Sequence, residues 1–151
     1  MKQFFFLALA AISISVSAQK LQTNEIDEFT GARKLVTELQ LIGKSPSTAH
    51  ACVFNVDGMV GMFIYTMADI GCAGTTDGKI TFLFTDNTKF TADVDHGDID
   101  CSETATSIFV LDPSAFAGKT VSKFRMYRSS GFADYTWACP YTMTQLFNAV
   151  K

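Results

Sequence analysis

The stretch AHACVFNVDGMVGMFIYTM, residues 49–67, decides the fold class. Two runs rich in β-branched and aromatic residues flank Asp57-Gly58. Both turn residues tolerate positive φ, which a two-residue hairpin turn demands of its central positions. The segment therefore predicts an antiparallel hairpin with strands at 49–56 and 59–67. Downstream the same cadence repeats. KITFLF (79–84) and TKFTADV (88–94) flank Asp86-Asn87, and VSKFRMYR (121–128) and FADYTW (132–137) flank Ser129-Ser130-Gly131 as a three-residue loop. SIFVLD (107–112) is one further strand. Upstream, residues 26–43 place Phe29, Leu35, Thr37, Leu39 and Leu41 at odd positions, as one half-buried strand or two broken at Gly31.

Two helical signals interrupt the strands. Asp112-Pro113 has the form of an N-cap followed by N1, opening a run of at most two turns. In PYTMTQLFNAV (140–150), Pro140 fits N1, and Met143, Leu146, Phe147 and Val150 fall on one helical face. A sheet that must cover its apolar faces either stacks or curls. The expected fold is mainly β: an antiparallel β-sandwich or barrel-like meander of about eight strands with one C-terminal helix.

The N-terminus has a different character. A lysine at position 2, an eleven-residue apolar run and Val16-Ser17-Ala18 form a signal peptide cleaved after Ala18, which leaves one exported domain over 19–151. That apolar run is shorter than the roughly 20 residues a membrane span requires. Export places the chain in the periplasm or outside the cell. The full chain carries a net charge of −3, and loss of Lys2 makes it −4. Apart from Arg33-Lys34, lysines and arginines are scattered singly along the sequence, which disfavours nucleic acid and anionic membrane surfaces as partners. Eleven phenylalanines remain after the leader to build a core, and such apolar content excludes disorder.

Four cysteines in an exported chain imply two disulfides. The nearest pair is twenty residues apart, which excludes the close ligand pairs of structural zinc. A hairpin centred between Asp86 and Asn87 has partners whose numbers sum to 173, as do those of Cys72 and Cys101. The expected bridges are therefore Cys72–Cys101 and Cys52–Cys139.

Three candidate sites emerge. The stretch DVDHGDID (93–100) holds four of the eleven aspartates. It departs from the EF-hand spacing at its fifth, sixth and twelfth positions, so calcium would need a looser set from Asp95, Asp98 and Asp100. Without a cation, the stretch is the solvated end of a strand. As a catalytic site it would use His96 as general base beside Asp95 and Asp98, making a small hydrolase. No nucleophile elbow, phosphate loop or zinc-protease motif accompanies it. The third candidate is aromatic. Tyr127, Tyr135 and Trp137 crowd the last hairpin, as a platform for a glycan or peptide or as core. With no converging catalytic signature, the sequence favours a non-enzymatic binding module for a glycan, peptide or partner protein. It names no cofactor. The alternatives are the His96 hydrolase and a cation-stabilised structural module.

Overall fold

The computed structural model describes residues 19–45, 47–67, 78–97 and 105–151. The chain is mainly β and antiparallel, with one short C-terminal helix. Its strands are β1 Leu21–Ile26, β2 Arg33–Thr37, β3 Gln40–Lys44, β4 Ala49–Val56, β5 Met59–Thr66, β6 Lys79–Phe84, β7 Lys89–Asp93, β8 His96–Gly97, β9 Ala105–Val110, β10 Val121–Arg128 and β11 Gly131–Trp137. The helix, α1, is Met143–Asn148. The main path across the sheet is β7-β6-β10-β11-β3-β4-β5-β9-β8, with β2 also pairing β4 and β1 pairing β2.

The three expected hairpins form, but two of them differ in register. At Asp57-Gly58 both residues take positive φ (51° and 90°), and Val56 faces Met59 across a two-residue turn. The β6–β7 pairing runs from Lys79↔Asp93 to Leu83↔Lys89, so the hairpin is centred on Asp86 rather than between Asp86 and Asn87. The last hairpin pairs Arg128 with Gly131 across Ser129-Ser130, a loop one residue shorter than expected. The antiparallel meander expected with about eight strands has eleven among the described residues. The chain already forms β1 from Leu21, the 26–43 run breaks at Glu38-Leu39 as well as near Gly31, and His96-Gly97 pairs β9. Phe29, expected on a buried face, is 99% exposed in the turn between β1 and β2.

The sheet bends round one large core into a sandwich-like shape. Its first and last strands are consecutive in the chain. The Val94 amide donates to Gly78 on the β6 side, and the next amide, of Asp95, donates to Ile108 on β9, both at 2.8 Å. Among the described residues β7 pairs only β6 and β8 only β9, so the ladder is not a closed barrel.

Phe116 sits at the centre of the core. Asp112 caps a 3-10 turn, Pro113–Phe116, by accepting the Ser114 amide, and the turn delivers Phe116 fully buried. Its ring meets Phe82, Phe84, Phe90 and Phe147 at centroid distances of 5.0–5.6 Å, all near edge-to-face, the arrangement aromatic quadrupoles favour. The ring thereby ties β6, β7 and α1 together. The first helical residue is Met143 rather than Pro140, because Thr142 is the N-cap and forms a reciprocal capping box with Gln145. Its expected face of Met143, Leu146, Phe147 and Val150 is buried.

Two outcomes follow. Phe116→Ala should cost about 3–5 kcal/mol, as for other large-to-small changes at fully buried rings; denaturant unfolding measures it, and a cost below about 1 kcal/mol contradicts the central role of this ring. The second concerns acid. Asp27, Asp86 and Asp112 accept hydrogen bonds from Thr30, Thr88 and Ser114, and these bonds hold their carboxyls below the ordinary range. The folded state then binds fewer protons than the unfolded one. Stability from these turns is present above about pH 4 and is lost as pH falls through the lowered folded values. The melting temperature should drop over that range, and replacing all three by Asn should flatten the drop.

Candidate functional site

Alternation decides which side chains can form a site. In β6, Ile80, Phe82 and Phe84 point into the core and Lys79, Thr81 and Leu83 point out. In β10, Phe124 and Met126 point in and Lys123, Arg125 and Tyr127 point out. The pairing registers then align the outward residues into rows that cross β7, β6, β10 and β11. One row is Lys89, Leu83, Lys123 and Thr136; the next is Thr91, Thr81, Arg125 and Asp134; the third is Asp93, Lys79, Tyr127 and Phe132.

Lys79, Lys89, Lys123 and Arg125 thus share one face of a chain whose net charge is negative. The middle row is internally satisfied. Thr81 and Thr91 hydroxyls lie 2.9 Å apart. Arg125 binds Asp134 in bidentate fashion, Nε to Oδ1 at 2.5 Å and Nη2 to Oδ2 at 2.7 Å. This pair holds the Asp134 carboxyl below its ordinary range and raises the Arg125 guanidinium further. By contrast, Lys89 and Lys123 make no ion pair among the described residues. Thr81, Leu83, Lys89, Lys123, Arg125 and Asp134 line a shallow groove of about 290 Å³ on this face. That volume stands at the lower end of the range for small-molecule sites, about 300–1,000 Å³.

The aromatic candidates separate. Tyr135 is fully buried and stacks on Phe124 at 4.9 Å, 12° from parallel. Trp137 packs against the same core, edge-on to Phe124 at 6.3 Å. Tyr127 alone of the three faces out. Its ring carries Lys79 Nζ at 4.7 Å, while neighbouring Phe132 carries the Arg125 guanidinium at 4.1 Å. The expected platform of Tyr127, Tyr135 and Trp137 does not form, because the two-residue loop puts Tyr127 opposite Phe132.

The acidic stretch divides differently. Asp95 is exposed beside the edge of β9, and His96 pairs Ile108 by its backbone. Asp98, Asp100 and the His96 side chain lie outside the described residues. Among the described residues no group of three His, Cys, Asp or Glu could hold a metal ion.

The cysteine pairing also needs correction. Cys52 and Cys139 are free thiols on opposite sides of the sheet. Cys52 lies in β4 between inward Ala51 and Val53, so it points outward into a small cluster with Val36 and Phe54, whereas Cys139 packs against the main core. Burial pushes both thiols above their ordinary values. Cys72 and Cys101 lie outside the described residues, but the register proposed to align them is off by one and β7 ends at Asp93.

The cation rows escaped the sequence reading because Lys79, Lys89 and the Lys123/Arg125 pair are far apart in the chain and meet only through strand register. Arg128 was also missed: it is buried and donates from Nη2 to Ser107 Oγ at 3.0 Å. Its neighbours in sequence look like an ordinary turn.

No family model matches the chain, and neither the curated proteins nor the solved structures yield a match. Among the described residues no helix is long and apolar enough to cross a membrane.

Alkylation distinguishes the thiol arrangement. Cys52 should resist maleimide in the native protein and react after unfolding, and a non-reducing peptide map should contain no Cys52–Cys139 cross-link. Recovery of that cross-linked peptide contradicts the placement of the two residues.

Proposed function

We propose that the protein is an exported, non-enzymatic binding module whose recognition surface is the outer face of β7, β6, β10 and β11. The leader pattern at residues 1–18 supports export. One observation carries the binding reading: Lys79, Lys89, Lys123 and Arg125 gather on one face of an acidic chain, and neither Lys89 nor Lys123 makes an ion pair among the described residues. Like charges placed side by side raise the local potential and attract an anionic ligand.

The groove has no nucleophile and base held in contact. Its single carboxylate near the centre, Asp134, is engaged by Arg125. Such a site holds and orients; it has no group poised to take or give a proton. Each outward residue stands on a strand whose inward neighbours belong to the main core or pack against it.

Paired glycan and peptide arrays test the proposal, probed with the wild type and with Lys89→Gln/Lys123→Gln. The wild type should retain anionic ligands, and the double variant should lose at least 10-fold in signal with an unchanged melting temperature. Equal signal from both proteins overturns the assignment of this face.

A further inference from the structure

The row containing Lys89, Leu83, Lys123 and Thr136 continues beyond the groove. In the β11–β3 pairing Thr136 faces Lys44, an exposed residue at the end of β3. Across β7, β6, β10, β11 and β3 the row is therefore Lys, Leu, Lys, Thr, Lys. The three lysines stand two strands apart, a spacing of about 10 Å between successive charges given strands about 4.8 Å apart. None of the three makes an ion pair among the described residues.

Resting on the binding-face reading above, we infer that this row takes an acidic polysaccharide lying across the strands, with its carboxylates or sulfates against Lys89, Lys123 and Lys44. Three features select this class. An extended glycan lying across the strands advances by a little less than the strand spacing of about 4.8 Å per sugar, so about every second sugar comes within reach of a lysine. An extended peptide presents same-side groups about 6.8 Å apart and falls out of step. Between the lysines lie the Leu83 side chain and the Thr136 hydroxyl, an apolar contact and a hydrogen-bonding group suited to the faces and hydroxyls of a sugar.

The other polyanions fit less well. Single-stranded nucleic acid binds by stacking bases on aromatic faces. Here the Tyr127 and Phe132 rings already carry Lys79 and Arg125. A protein partner is anchored by large side chains buried in pockets, and the groove of about 290 Å³ on this face is lined mainly by polar groups, with Leu83, Phe124 and Tyr127 the apolar exceptions.

The test titrates the full chain with a homogalacturonan hexasaccharide, the matching trisaccharide, a neutral galactan of equal length, polyglutamate and oligo-dT. The hexasaccharide should bind, weaken with added salt, and lose at least 5-fold in affinity on Lys123→Gln. Lys44→Gln should weaken the hexasaccharide about 3-fold or more and the trisaccharide by no more than about 2-fold, since the shorter chain spans two lysines and can still sit on Lys89 and Lys123. Lys34→Gln, on β2, should change neither. Equal binding of the neutral galactan, no binding of the hexasaccharide, or tighter binding of polyglutamate or oligo-dT overturns the glycan inference. If polyglutamate or oligo-dT binding is lost in Lys89→Gln/Lys123→Gln, the binding face stands and only its ligand class falls. If the lysine variants alter no probe, both fall.

Discussion

Burial of Phe82, Phe84, Phe124 and Met126 on one side of the sheet is the constraint on which the other features depend. All four are at most 1% exposed. Side chains alternate along a strand, so a slip of one residue would send every one of them to solvent. The aromatic cluster round Phe116 therefore fixes the parity of β6 and β10, and through their pairing that of β7 and β11. Once parity is set, the opposite face has no freedom: Lys79, Lys123 and Arg125 must point outward together. The same packing that stabilises the core also assembles the cations.

Glycine contributes where the layers approach most closely. A Cβ on Gly43 would lie 2.7 Å from the Phe124 ring and 2.9 Å from Tyr135 Cβ. Its absence lets β3 lie beneath the Phe124–Tyr135 stack, which brings Lys44 into line with Thr136. On the other half of the sheet, the outward face carries Val36, Cys52 and Phe54, with Phe54 against Phe63 at 4.8 Å. The two halves thus differ in chemistry, one basic and hydroxylated, the other apolar, although one continuous sheet forms both.

Much of the fold was legible in the residues themselves. Asp57-Gly58, Asp112-Pro113 and the spacing of Met143, Leu146, Phe147 and Val150 are local signals, and the structure places a turn, a cap and a buried helix face there. The site was not legible, because its existence depends on register. Centring the second hairpin between Asp86 and Asn87 would set Lys89 opposite Phe84 and on the core side. A three-residue final loop would set Arg125 opposite Tyr135 and group Tyr127 with Trp137. Two errors of one residue each were enough to hide a row of lysines and to imply an aromatic platform. Turn residues such as Asn87, with φ of 65°, tolerate several loop lengths; tertiary burial chooses among them. The pairing of Cys52 with Cys139 failed for the same reason, since parity sends Cys52 away from the core.

The central claim is that core-enforced register builds an anion-binding row on one face of the sheet. Amide chemical-shift mapping during titration with the homogalacturonan hexasaccharide tests it most directly. The account predicts that shifts concentrate at Leu83, Lys89, Lys123, Thr136 and Lys44, strands far apart in sequence and adjacent in the row. Shifts confined to Asp93–Gly97, or to the apolar face of β4 and β5, would contradict it.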